Sequence, residues 1–401
     1  MSIESPMGLY LDMNICLISL SPVGGFKSFI ENIALYFLRL GCRVTFLSLS
    51  KECCLDITGV EVRCLDLNSV SRINEITISE RIDSVIKRAL FRMKHNPTDW
   101  DDLQNNLYHS QLKALSRARS CNKVDLSKFD CVISCEEVQC NYFLAYSVLA
   151  KRKIGYIHPD YNNVPYNKKL DRKALSKLDY ICATSEANAE TIRKAQPSLK
   201  DKVIGVPNPI DVETILKKSE SQIQELFSSG VVNLITVCRL DNTYKALDRL
   251  LSISLKLKNN GDRFVWRVIG DGEYGNTMHE FIRNNDLEDY VKLLGAMDNP
   301  IPYVKRSDLF VLQSYSEGYP MSVLEALAVD TPALVTDYPS SSEQVDDHVT
   351  GFIVKNDFDY IFEKIHYLIN NRSELNRVRK YLQETDKSKL DSIDNLLNIM
   401  R

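Results

Sequence analysis

At 401 residues the chain is longer than one ordinary α/β core and fits two domains of typical size. Hydrophobic content of 44% and charged content of 26% are those of a soluble globular protein, and a formal net charge of −3 supplies no global basic field for nucleic acid. The six histidines lack metal-ligand spacing, and the eleven cysteines lack a disulfide framework and read as reduced thiols of a cytosolic protein.

Residues Met1 to Asp12 have no apolar core, so no signal peptide is expected. No stretch reaches the roughly 18 apolar residues of a spanning helix. A cytoplasmic protein follows as the expectation, one still able to touch the inner face of a membrane. The run Asn14 to Leu20 reads as a strand buried on both faces. Gly24 and Gly25 then mark a turn into a helix with apolar residues at Phe26, Phe29, Ile30, Ile33, Phe37 and Leu40. Gly41 closes that helix and Val44 to Leu49 is the next strand, which completes a βαβ unit.

A helical insertion is expected at about 69–119, with Ile82, Val85, Ile86, Ala89, Leu90 and Met93 on one face and Arg81, Lys87, Arg88, Arg92 and Lys94 around the other. Such a face packs on a core or rests on anionic lipid. Strands follow at Phe129 to Ser134, Ile154 to Ile157, Cys182 to Ser185 and Val203 to Val206, with a helix near Asn141 to Ala150. Pro207-Asn208-Pro209 is a natural hinge, because two prolines restrict the chain. Beyond it the spacing predicts strands at Asn233 to Val237, Phe264 to Ile269, Val291 to Leu294, Leu309 to Leu312, Ala333 to Thr336 and Phe352 to Val354, with helices between them. Two βαβ arrays imply an α/β chain of two Rossmann-like domains facing across a cleft. Residues 1–207 would form the acceptor domain and 208–375 the donor domain, with 376–401 a helical segment returning to the first domain.

Chemistry concentrates in Glu317-Gly318-Tyr319-Pro320 through Glu325. Glu317 lies just past a buried strand, Pro320 suits the first turn of a helix, and Glu325 falls in that helix's early turns. A helix start suits phosphate, and two carboxylates there could hold hydroxyls at both ends of a nucleotide sugar. Arg239 and Lys245 follow the first strand of the second domain, the end where ligands bind in such sheets. One offers a planar fork to phosphate and the other a point charge.

The segment resembles the E-x7-E motif of family 4 retaining glycosyltransferases, which have the GT-B fold. Further pieces resemble that family in order along the chain. They are the Gly24-Gly25 loop, the segment Lys153 to Tyr161 around His158 and Asp160, the junction Val206 to Asp211, the Val237 to Lys245 clamp, Gly270-Asp-Gly-Glu273 and Leu293-Leu-Gly295. The resemblance implies a retaining transferase that takes a hexose or N-acetylhexosamine, with galactose-type transfer in view, from a UDP-sugar. The acceptor would be a glycan or lipid-linked saccharide in surface polysaccharide synthesis. It also implies Glu317 at the transferred sugar, His158 over that sugar, and Asp160 positioning the acceptor. Glu325 would hold the ribose, and Arg239, Lys245, Gly24, Gly25, Gly318, Tyr319 and Pro320 would line the donor. No nucleic acid partner is expected.

The chain departs from the family pattern at Ala246 and Asp330, which replace glycines, and in the loop Thr336 to Glu343, which lacks a Gly-Gly pair. Asp357-Phe-Asp359 has a D-x-D form used with metals elsewhere, but it precedes an amphipathic run and reads as an N-cap. No cofactor or metal is expected, the cations and helix dipole serving instead. From Lys151 to Lys173 seven basic residues stand against two acidic ones, a stripe suited to a phosphate-linked lipid or acidic glycan. The rival readings are a sugar-nucleotide epimerase of the same fold and a non-catalytic subunit of a polysaccharide assembly complex.

Overall fold

The computed structural model describes residues 12–20, 24–51, 53, 55–67, 99–223, 227, 229–391 and 393–400, with the backbone alone at 99–105, 389 and 391. The chain divides into two compact units, Met1–Asn208 with Ile393–Arg401, and Pro209–Ser392. The basic amphipathic face expected between Arg81 and Lys94 lies outside the described residues.

The first unit carries β1 (Asn14–Ser19), β2 (Arg43–Ser48), β3 (Val60–Cys64), β4 (Val124–Asp125), β5 (Cys131–Ser134), β6 (Val148–Leu149), β7 (Lys153–Ile157), β8 (Tyr180–Ala183) and β9 (Val203–Gly205). Seven of these form one sheet in the order β3-β2-β1-β5-β7-β8-β9, and every pair is parallel. Burial explains the near-continuous apolar runs: in β1 every residue after Asn14 is buried. The helix Gly24–Arg39 packs Phe29, Ile30, Ile33, Ala34 and Phe37 inward, at the expected helical spacing. Gly41, at φ 82°, takes the left-handed conformation that ends this helix. β3 was not anticipated, because Val60-Glu-Val-Arg-Cys64 is a charged edge strand with four exposed residues.

The second unit carries β10 (Val232–Val237), β11 (Phe264–Ile269), β12 (Val291–Leu293), β13 (Leu309–Leu312), β14 (Ala333–Thr336) and β15 (Gly351–Val354). Their parallel sheet has the order β12-β11-β10-β13-β14-β15. In each unit the order reverses once, beside β1 and beside β10, and a doubly wound sheet opens a crevice at the carboxyl ends of its strands there. The helix Arg372–Glu384 packs Leu375, Val378 and Leu382 into the second unit's core, whereas Ile393, Leu396, Leu397, Ile399 and Met400 join the core of the first.

Candidate functional site

In the second unit the crevice lies between the loops after β10 and β13. After β10 the chain runs through Arg239 to Asp241, whose carboxylate accepts from the Thr243 backbone N–H at 2.9 Å and starts the one-turn helix Asn242–Lys245. The same carboxylate accepts from Arg239 Nη2 at 2.6 Å, yet the Arg239 side chain is 70% exposed. Gly270, at φ 148°, fixes this loop from beside, since a Cβ there would meet the Cys238 carbonyl oxygen at 1.8 Å.

After β13, Gln313 Nε2 donates to the Lys245 carbonyl at 3.0 Å, so the two loops are tied through backbone. Lys245 Nζ then donates to Glu317 Oε1 at 2.6 Å, and Ser314 Oγ donates to the same oxygen at 2.6 Å. Burial alone would lower the Lys245 pKa, but the Glu317 carboxylate outweighs it and holds the ammonium charged. Arg239 is also near enough for its charge to act on Lys245. Arg239, Lys245 and Glu317, chosen from sequence, thus gather at one switch point, with Lys245 and Glu317 in direct contact.

Glu325 is the fifth residue of the helix Met321–Ala328. Pro320 sits one position earlier than expected, as the N-cap with φ −64° and ψ 122°. Burial pushes the Glu325 carboxyl up to about 7, opposed only by the positive charge of Lys218. Among the described residues no hydrogen bond or ion pair reaches that carboxyl. Lys218, on the helix Val212–Ser219, was not singled out from sequence.

Other supports were missed for the same reason, that single polar residues carry no periodic signal. Ser340 Oγ donates to the Gly318 carbonyl and Gln344 Nε2 to the Pro320 carbonyl at 3.1 Å, so the variant loop after β14 holds the Gly318-Tyr319-Pro320 backbone. Arg249 lies 4.5 Å over the Tyr315 ring and donates to the Gln313 carbonyl and to Asn356 Oδ1. Asp357 caps the helix Phe358–Asn370, accepting from the Asp359 N–H at 3.0 Å, as the D-x-D reading required.

The first unit has its own cluster at its switch point. His158 follows β7, and its Nε2–H donates to the Cys135 carbonyl beyond β5 at 2.9 Å. Phe26 and Phe29 meet the imidazole edge-on at 5.1 Å and 4.7 Å, and Tyr156 stacks on it. Burial lowers the His158 pKa to about 4, so the ring is neutral near pH 7 and its Nδ1 is the acceptor nitrogen. Asp160 is buried and accepts from the Asn162 N–H and from Asn163 Nδ2, which shapes its own loop. Gly24, at φ 53°, opens the helix after β1, and a Cβ on it or on Gly25 would meet nothing within 4 Å.

Comparison with known proteins bears on the second unit first. Residues 217–385 match the family model described as "Glycosyl transferases group 1". This segment is a group 1 glycosyltransferase domain. The chain is 29% identical over 171 residues to an uncharacterized glycosyltransferase of Methanocaldococcus jannaschii, covering 42% of the chain and 42% of that protein. It is 34% identical over 134 residues to the capsular polysaccharide biosynthesis glycosyltransferase CapM of Staphylococcus aureus, covering 32% and 34%. Thus the matches to both relatives span less than half of their lengths. Across nearly the full chain, the fold matches S. aureus TarM, solved with UDP and alpha-GlcNAc-glycerol, with TM-score 0.67, 13% identity and coverage of 97% and 100%. The glycosyltransferase domain and its companion therefore have the GT-B fold.

Proposed function

We propose that the chain is a retaining glycosyltransferase that transfers a hexose or N-acetylhexosamine from a UDP-sugar to a glycan or lipid-linked acceptor in surface polysaccharide synthesis. The observation that carries this reading is the Lys245–Glu317 contact at the switch point of the second sheet, with exposed Arg239 beside it. In this reading the leaving diphosphate gains negative charge as the glycosidic bond breaks, and Lys245 with Arg239 stabilises that charge more than the ground state. Glu317 accepts from a sugar hydroxyl while it continues to hold the Lys245 ammonium and the Ser314 hydroxyl. Glu325, ionised, accepts from the ribose hydroxyls. His158 offers a neutral acceptor nitrogen to a sugar hydroxyl, and Asp160 shapes the acceptor loop. Fixed cations take the place of a metal, and no cofactor is assigned. UDP is favoured as the nucleotide because TarM, which shares the fold, was solved with it.

The reading predicts that a thermal-shift screen of nucleotide sugars selects a UDP-sugar, since a ligand of the folded state stabilises it. With that donor and a polysaccharide or lipid-linked acceptor fraction, proton NMR of the product should show the donor's anomeric configuration retained. An inverted linkage, or an epimerised sugar nucleotide formed without acceptor, would contradict it.

A further inference from the structure

The first unit carries a basic surface outside the residues assigned roles in the proposed transfer. Tyr146, near the end of the helix Gln139–Ser147, is its centre. The Arg119 guanidinium lies 5.1 Å from the Tyr146 ring centroid and the Lys177 ammonium 5.2 Å from it. Lys123 Nζ donates to the Tyr146 carbonyl, and the Tyr146 hydroxyl donates to the Lys173 carbonyl at 3.1 Å. Lys202 Nζ reaches the Ser176 and Leu178 carbonyls at 2.9 Å and 2.6 Å. Arg119, Lys123, Lys173 and Lys177 are exposed, and among the described residues none of them is in an ion pair. Lys153 belongs to the same field: burial lowers its pKa first, and the charges of Lys123 and Lys177 lower it further. The facing carboxylate is Asp179, which is occupied in accepting from the Lys153 backbone N–H at 2.8 Å. Asp130, next along the surface, is paired with Lys151 at 2.8 Å.

Cations crowded around one ring without carboxylate partners repel one another, and an external anion relieves that repulsion. Two features separate a lipid surface from a soluble polyanion. Leu149, on β6 and three residues from Tyr146, is a 49% exposed apolar side chain whose strand partner on β4 is Asp125. Tyr146 itself combines an apolar ring with a polar tip, the kind of side chain enriched at membrane interfaces. We infer that the surface formed by Arg119, Lys123, Tyr146, Leu149, Lys173 and Lys177 docks the protein on an anionic lipid bilayer. Attraction of each basic residue to the negative leaflet and insertion of Leu149 at the headgroup boundary would act together. The inference does not depend on the donor site, and it would hold for any acceptor presented at a membrane.

The test is co-sedimentation with phosphatidylcholine vesicles, with and without phosphatidylglycerol, at low and high salt. The full chain should bind only the vesicles that contain phosphatidylglycerol, and less as salt rises. The exposed triple variant K123E/K173E/K177E should bind at least tenfold more weakly. A control with the same charge change in the second unit, K217E/K292E/K380E, should stay within about twofold of the parent, because the attraction is local. Leu149→Ser should weaken vesicle binding while leaving UDP binding, measured on the same preparations, unchanged. Absence of binding to anionic vesicles, an equal loss in the control, or binding to single-stranded RNA in place of vesicles would each overturn the inference. A loss of UDP binding in the wild-type chain would count against the transferase reading alone.

Discussion

A carboxyl raised by burial to about 7 disfavours the folded state wherever it is ionised, and Glu325 is such a group. Its folded pKa lies above the ordinary carboxylate value, so the folded chain holds the proton more tightly than the unfolded chain does. The stability linked to it is fully present below about pH 4.5 and is lost as pH rises through about 7. Glu325→Gln should therefore stabilise the protein at pH 8 by about 1–3 kcal/mol, with the gain fading toward pH 5. Denaturant melts at the two pH values check this, and a gain independent of pH would contradict it. The same substitution should weaken UDP-sugar binding at pH 8, where the wild-type carboxylate is formed. A carboxyl that lowers stability and has no hydrogen-bond or ion-pair partner among the described residues is what a ligand-binding group looks like. His158 differs: with its pKa lowered to about 4 it stays neutral from pH 5 to 8 and adds no titration there.

At the scale of elements, the regular strands and helices were legible because each has an apolar run of the proper period. β11 is an example, predicted and found at Phe264–Ile269 with all six residues buried. The Asp357 cap was legible too, since an aspartate before an amphipathic run has few other uses. What the sequence could not display was the pairing of side chains distant along the chain. Ser314, Arg249, Ser340 and Gln344 act through hydrogen bonds to residues brought near by the sheet order, and β3 hides its strand character in exposed charge. Two departures from the family pattern acquire a physical meaning. Ala246, at φ 50°, and Asp330, at φ 63°, occupy left-handed backbone where glycine is unstrained. Asp330 is held there by an ion pair with Lys387, whereas Ala246 gains no such bond from its methyl group. Ala246→Gly should stabilise the chain by about 0.5–1 kcal/mol, the relief of left-handed strain less the added entropy of the unfolded chain. Chemical denaturation reads this directly, and a destabilised variant would mean that packing of the buried methyl outweighs the strain.

At the scale of the whole molecule, the chain is two doubly wound units, each with chemically distinctive side chains at the switch point of its sheet. The first offers a neutral imidazole in an aromatic setting and a shaped loop at Asp160. The second offers cations and carboxylates at the ends of β10 and β13. In the proposed function the second unit takes the charged half of the donor, with Glu317 at the sugar, and the first unit offers His158 and Asp160. Whether Lys245 receives a diphosphate is open to a direct measurement. UDP and uridine would be titrated calorimetrically into the wild-type chain and into Lys245→Ala, whose folding is confirmed by its melting curve. The variant should lose at least about tenfold in UDP affinity, on the order of 1.4 kcal/mol, while uridine affinity changes by less than about twofold. Equal losses for the two ligands, or an unchanged affinity for UDP, would contradict it.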